Sequence, residues 1–221
     1  MHNAGFTALG LDWAYVPLPT SPDALGTAVR GLVALGFAGV NVTIPHKERV
    51  IEHCDELDDV AARARSVNTL VFRDDLVLGY STDGAAVTHQ LRVAGRRALV
   101  LGGGGAAKAV IDALRFAGAE VVVATRRDTD WPPSGDGFDV LVNATPVKDD
   151  VIVMPRQGQQ VVDMAYVADG SPTAFVRAAN DAGCEVVVDG LEVLLRQGAA
   201  SFELWTGLPA PLEAMREALR P

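Results

Sequence analysis

Basic residues are scarce in this chain. Among 221 residues there are 19 Lys and Arg against 28 Asp and Glu, a formal net charge of −9. No cluster of Lys and Arg offers an electrostatic track for a phosphate backbone, which argues against nucleic acid as a partner. Cysteine is nearly absent: Cys54 and Cys184 lie far apart and form no C-x-x-C pair, so both read as ordinary reduced thiols. The four histidines (His2, His46, His53, His89) match no metal-binding spacing, and no metal site is expected. No apolar run approaches the roughly 18–20 residues that span a bilayer, so no membrane partner is expected. The opening "MHNAGFTALG" lacks the basic start and apolar core of a signal peptide, and a cytoplasmic protein is the expectation. Aromatics make up only 6% of the chain while 49% is hydrophobic, so its cores must be built from Val, Leu and Ala.

The apolar segments alternate between strand-like and helix-like patterns. Strands are expected at 12–18, 39–44, 67–72 and 76–79, the last two joined by the turn "RDD". A helix is expected over 21–35, with Ser21 at its cap and Pro22 in its first turn. Two short helices are expected over 45–54 and 55–65, and another over 82–93. After "AGRR" the segment "ALVLGGGGAAKAVIDALRFAGAEVVVATRR" reads as strand, Gly-rich turn, helix and strand, one βαβ unit. Strands at 138–142, 160–163 and 185–188 and helices at 173–182, 191–204 and 211–219 continue the alternation, with 128–137 an irregular loop. The expected fold is α/β with two domains, one carrying a mostly parallel, helix-covered Rossmann-type sheet.

Within the βαβ unit, Gly102-x-Gly104-x-x-Ala107 follows an apolar strand and opens a helix. That is the context a dinucleotide fingerprint requires. Gly102 makes the tight turn, Gly104 admits a pyrophosphate, and the helix N-terminus faces the anion. NAD sites place an acidic residue about 20 positions further on. Here "VVVATRRD" puts Thr125, Arg126 and Arg127 at that strand end. Guanidinium groups bind a 2′-phosphate bidentately, which favours NADP(H), although Asp128 could reach back to a ribose. The strand ending "VNATPV" adds small polar groups at the same edge of the sheet. In the first half, polar residues cluster at strand ends: "NVT" with Lys47, "VNT" with Asn68, and "TDG" with Asp83. Such groups suit a small polyhydroxylated ligand, and a Lys–Asp pair suits proton transfer, although a plain salt bridge would have the same spacing.

The motifs "MHNAGFTALGLDWAY", "GFAGVNVTIPHKE", "SVNTLVF", "GYSTDG", "LVLGGGGAAKAV", "VNATP", "VVDMAY" and "VDGLEVLLRQGAASFELWTG" run through the chain in one order. In these the chain resembles the shikimate dehydrogenase (shikimate/quinate dehydrogenase) family. The resemblance implies reversible, NADP-dependent reduction of 3-dehydroshikimate to shikimate, a step toward chorismate and the aromatic amino acids. It implies a substrate domain of residues 1–84 plus 190–221 and an NADP-binding domain of residues 85–189, with the site in the cleft. It implies Lys47 as general acid/base, with Asp83 as its partner and a holder of a substrate hydroxyl. Thr43, Asn68 and Gln197 would hold ring hydroxyls, with Tyr166 near the substrate. Gly102, Gly103, Gly104, Gly105 and Ala106 would hold the pyrophosphate, Thr125, Arg126 and Arg127 the 2′-phosphate, and Met164 and Gly190 would lie near the nicotinamide. Asp59 matches a weaker cofactor contact. A monomer or homodimer is implied.

Three departures stand beside the resemblance. The family's usual first strand and "HSxSP" loop, whose serines hold the substrate carboxylate, are lacking before "MHN", and the expectation is either a start upstream of Met1 or a truncated form. Thr125 replaces a usual Asn, and "VKDD" follows "NATP" where Gly-Met is usual. Rival readings are an NAD-dependent quinate/shikimate dehydrogenase, a non-catalytic nucleotide-binding paralogue and an unrelated Rossmann reductase.

Overall fold

The structure is a computed structural model that describes residues 1–219. In chain order the elements begin with α1 (His2–Ala8), a 3-10 turn (Pro22–Ala24) running into α2 (Leu25–Ala34), and β1 (Gly39–Asn41). A 3-10 helix (Arg49–His53), β2 (Glu56–Leu57), α3 (Asp59–Ala64), β3 (Thr69–Arg73), β4 (Leu76–Tyr80) and α4 (Asp83–Thr88) follow. Then come β5 (Arg97–Leu101), α5 (Gly105–Phe116), β6 (Glu120–Ala124), β7 (Val140–Asn143) and β8 (Gln160–Asp163). The chain ends with α6 (Ala174–Asp181), β9 (Val186–Val188), α7 (Gly190–Thr206) and α8 (Leu212–Glu217). They group into two compact units, one of Met1–Thr82 with the chain from Leu195 onward, the other of Asp83–Leu194.

The first unit carries a four-stranded sheet in the order β1-β3-β4-β2. β3 and β4 form a hairpin whose turn residues Asp74 and Asp75 have φ of 51° and 63°, the left-handed pair that matches strand twist in a two-residue turn. Leu25 and Val29 of α2 bury against Val42, Val50, Val67, Leu70 and Val77. A second cluster joins Phe6 of α1 to Leu195, Ala199 and Phe202 of α7 and Met215 of α8.

Several expected elements differ here. Residues 12–18 form no strand, and Trp13, Tyr15, Val16 and Leu18 are exposed. Pro17 removes a ladder donor, and the Tyr15 backbone pairs with the Asn3 amide at both its N–H (2.6 Å) and its carbonyl (3.0 Å). The helices expected over 45–54 and 55–65 are a turn plus a 3-10 helix, then β2 and a shorter α3. Asp58 starts α3 by accepting from the Ala61 N–H at 2.8 Å. The expected helix at 82–93 stops at Thr88. The Gln160 amide takes the Arg92 N–H and carbonyl (2.8 and 2.9 Å), bonds that a continuing helix would need. α1 was not anticipated at all.

The second unit is a five-stranded, all-parallel sheet in the order β6-β5-β7-β8-β9. Every residue of β7 and β8 is buried, as expected for parallel strands covered on both faces. α4 packs closely on α5, because a Cβ at Gly84 would stand 2.6 Å from the Ala109 carbonyl oxygen. The chain leaves β5 for β6 on one side and returns to β7 on the other, so the switch point lies at the carboxyl ends of β5 and β7, where Leu101 pairs with Asn143.

Candidate active site

The switch point of the second unit is formed by three loops. The first is the glycine turn between β5 and α5. Gly102 has φ 114°, and a Cβ there would stand 2.9 Å from the Ala144 carbonyl oxygen, so the 102 position packs backbone against backbone. Gly104, the residue before Gly105 and Ala106 of the first turn of α5, would meet nothing within 4 Å. Its surroundings are open, as a cradle for a pyrophosphate requires. Gly103 faces Thr125, whose Cγ2 a Cβ would meet at 3.4 Å.

The second loop follows β6. The Asp128 carboxylate accepts from the Thr125 N–H at 2.7 Å, closing a turn in which the Asp128 N–H reaches the Thr125 carbonyl at 3.0 Å. Arg126 and Arg127 project from this turn and are exposed. Asp128 therefore spends one oxygen on its own loop, beside two exposed arginines.

The third loop follows β7. The Asn143 carbonyl oxygen of the side chain accepts from the Thr145 N–H (3.0 Å) and hydroxyl (2.7 Å), and its amide donates to Asp163 (2.8 Å) and to the Val147 carbonyl (3.0 Å). Asp163 is fully buried, and burial pushes its carboxyl above the usual range despite bonds from Thr173, Ala165 and Asn143. This carboxylate ties β7, β8 and α6 together and was missed from the sequence. Its signal was present, a lone acid ending the apolar run "QVVD".

Met164 and Tyr166 follow β8, Met164 half-buried and Tyr166 exposed. Gly190, the first residue of α7, is buried against the backbone of Met164 and Ala165: a Cβ there would strike the Ala165 carbonyl and stand 3.0 Å from the Met164 carbonyl oxygen. Met164 and Gly190 are thus brought together. Asp83, 4% exposed, opens α4 of the same unit.

In the first unit, the Lys47 carbonyl accepts from the Val67 N–H at 2.9 Å, which sets the "PHKE" turn beside "VNT". Lys47 is half-buried, Thr43 is exposed, and the Thr43 carbonyl closes the turn by accepting from the His46 N–H at 2.8 Å. Asp59 is exposed in the first turn of α3. Asn68 is 2% exposed and meets Gln197 of α7, with its Nδ2 donating to the Gln197 Oε1 at 3.2 Å.

Around that amide pair lies a polar cluster that joins Asn41 of "NVT", Thr69 of "VNT" and Thr82 of "TDG" with Ser201, which no sequence motif had singled out. Asn41 donates to Ser201 (2.8 Å) and Thr69 (3.2 Å), while Ser201 and Thr69 share a bond of 2.7 Å. Thr82 bonds both Asn68 and the Gln197 carbonyl. These residues come from β1, β3, α7 and the end of β4, too far apart in sequence for spacing to join them.

Residues 1–70 match the family described as the shikimate dehydrogenase substrate binding domain, and residues 190–220 that described as the shikimate 5'-dehydrogenase C-terminal domain. The shikimate dehydrogenase (NADP(+)) of Moorella thermoacetica is 38% identical over 259 aligned positions, covering 100% of this chain and 87% of the relative. That of Rubrobacter xylanophilus is 42% identical, covering 99% and 89%. The crystal structure of shikimate 5-dehydrogenase from Thermus thermophilus in complex with NADP(H) and shikimate superposes with a TM-score of 0.83 at 30% identity, covering 99% of this chain and 92% of that one. On sequence and fold, this chain belongs to the shikimate dehydrogenase family.

Proposed function

We propose that this protein catalyses the reversible, NADP-dependent reduction of 3-dehydroshikimate to shikimate, an oxidoreduction at a CH–OH carbon. The observation that carries the reading, in a chain of this family, is the loop after β6. It offers two exposed arginines beside an open glycine turn, with its acid folded onto Thr125.

In this reading residues 85–189 hold NADP(H) and residues 1–84 with 190–221 hold the substrate. Gly102, Gly103, Gly104, Gly105 and Ala106 take the pyrophosphate at the N-terminus of α5, where free N–H groups and the helix dipole favour an anion. Thr125, Arg126 and Arg127 take the 2′-phosphate. Met164 and Gly190 border the nicotinamide, and Asp59 adds a weaker contact. When bound, NADP(H) supplies the hydride.

Lys47 handles the proton. In reduction its ammonium donates to the carbonyl oxygen as negative charge builds there, and in oxidation the amine takes the hydroxyl proton back. Asp83 accepts a neighbouring hydroxyl of the substrate. Thr43, Asn68 and Gln197 orient the ring hydroxyls, and Tyr166 borders the ring. Orientation of this kind is worth several kcal/mol of barrier, because the reacting carbon must be aligned before hydride moves. The reading needs no nucleic acid or membrane, and among the described residues no helix is long and apolar enough to cross one. A cytoplasmic monomer or homodimer suffices.

The test is turnover with NADPH and NADH, each against 3-dehydroshikimate and 3-dehydroquinate. The proposal expects the NADPH and 3-dehydroshikimate pair to dominate kcat/KM. Dominance of NADH or of 3-dehydroquinate would make the protein a quinate/shikimate dehydrogenase of other preference. No turnover with any pair would leave a nucleotide-binding paralogue.

A further inference from the structure

Thr82 grips both ends of the Asn68 amide. Its backbone N–H donates to the Asn68 Oδ1 at 2.8 Å, and its hydroxyl oxygen accepts from the Asn68 Nδ2, also at 2.8 Å. A backbone N–H can only donate, so the atom facing it must be the oxygen and not the nitrogen of the amide. The Asn68 Nδ2 is thereby turned toward Gln197. Since it too can only donate, the Gln197 atom at 3.2 Å must be the carbonyl oxygen Oε1. The Gln197 Nε2 is then the far end of that side chain. The grip is locked from behind: the Thr82 hydroxyl donates to the Gln197 backbone carbonyl at 3.1 Å, tying β4 to α7. Thr82 is 7% exposed and Asn68 2%, so little water competes for these bonds.

We infer that Thr82 is a positioning residue that sets the polarity of the Asn68–Gln197 pair, so that Gln197 presents N–H donors, not an acceptor, to the substrate. The inference rests on the substrate reading above and sharpens it. A donor at this place selects ligand groups with a lone pair held in position, a hydroxyl or carbonyl oxygen, and the hydroxyl proton must then point elsewhere. Thr82 acts through Asn68 and Gln197, so its loss is expected in substrate affinity and not in the chemical step.

Three variants test this. Thr82→Val keeps shape and the N–H that orients Asn68 but removes the hydroxyl that holds the Nδ2 end and the Gln197 backbone in place, so the pair loosens, and KM for shikimate should rise about tenfold, leaving kcat and KM for NADP+ near wild type. Thr82→Ser should restore KM. Gln197→Glu keeps the acceptor that Asn68 needs but replaces the outward donor by a carboxylate, and should raise KM at least as much. A fall in kcat with unchanged KM in Thr82→Val would assign Thr82 a merely structural effect on Asp83 beside it and overturn the inference. So would a wild-type KM in Gln197→Glu. Side-chain amide resonances of Asn68 and Gln197 report polarity without turnover: slow exchange should persist in Thr82→Ser and be lost in Thr82→Val. If the wild type fails to oxidise shikimate, the substrate reading fails, while the amide resonances still decide whether Thr82 sets the pair.

Discussion

In the proposed reading, cofactor choice turns on Arg126 and Arg127. Both are exposed on a loop whose acid is folded inward, so replacing them should leave the fold intact. Arg126→Ala with Arg127→Ala is expected to raise KM for NADPH about tenfold or more and leave turnover with NADH unchanged, because charge-assisted bonds to a phosphate contribute about 1.5–3 kcal/mol each. Steady-state kinetics with the two cofactors reads this directly. These arginines were legible in the sequence because a strand end is a short-range signal. The Asp128 bond to Thr125 was not, since a single acid in a turn can face either way. Asn41, Thr69 and Thr82 sit in motifs marked as polar, but their joining with Ser201 was not legible, for a different reason. Each is a common small polar residue, and only the tertiary pairing of three strand segments with α7 makes them a cluster.

At the scale of elements, two glycines in similar helix-start positions have opposite demands. Gly190 opens α7 against the Ala165 carbonyl, and no Cβ fits there without moving backbone. Gly190→Ala should cost about 1–3 kcal/mol of stability, seen as a lower denaturation midpoint. Gly104 caps α5 with nothing within 4 Å of a Cβ and an extended backbone (φ −79°, ψ −179°). Gly104→Ala should leave the midpoint nearly unchanged but weaken NADP(H) binding, measured by fluorescence titration, because the methyl group projects into the cradle. Equal destabilisation by both would show that the 104 position is packed, not open. The strands of the parallel sheet were readable because burial on both faces leaves uninterrupted Val and Leu runs. Residues 12–18 show the limit of that logic. Their apolar alternation resembles a strand, but a strand exists only with a partner, and here the Asn3 side chain holds the backbone instead. The end of α4 was misjudged likewise, because the bonds that stop it come from Gln160, far along the chain.

For the molecule as a whole, stability should depend on pH through His2. Its ring is buried between Tyr15 (centroids 4.4 Å apart) and Trp205 (5.3 Å), and its Nδ1 has no hydrogen-bond partner among the described residues. Burial first, and the nearby terminal amino group second, push its pKa from 6.5 down to about 4, while a bond to Asn41 opposes them. A depressed value means the unfolded chain binds the proton more readily. The stabilising contribution is therefore full above pH 6.5 and is lost as pH falls toward 4, up to about 3 kcal/mol. Asp58 and Asp163, both raised by burial, act in the opposite sense at acid pH, so the comparison must be made against His2→Phe. That variant keeps a ring in the stack and should show a flatter melting temperature between pH 6.5 and 4 than the wild type. Parallel curves would contradict the burial argument.

In the proposed mechanism this chain moves hydride between shikimate and NADP(H), with Lys47 as the proton-handling group. Its most direct test is the initial rate of NADP+ reduction by shikimate, wild type beside Lys47→Ala at saturating cofactor. Lys47 lies on a turn tied to Val67 through its backbone carbonyl, so removing its side chain spares that bond. The account predicts turnover by the wild type and a loss of about 10²–10⁴-fold in the variant, with NADP+ binding unchanged. A variant that reduces NADP+ at the wild-type rate would contradict it.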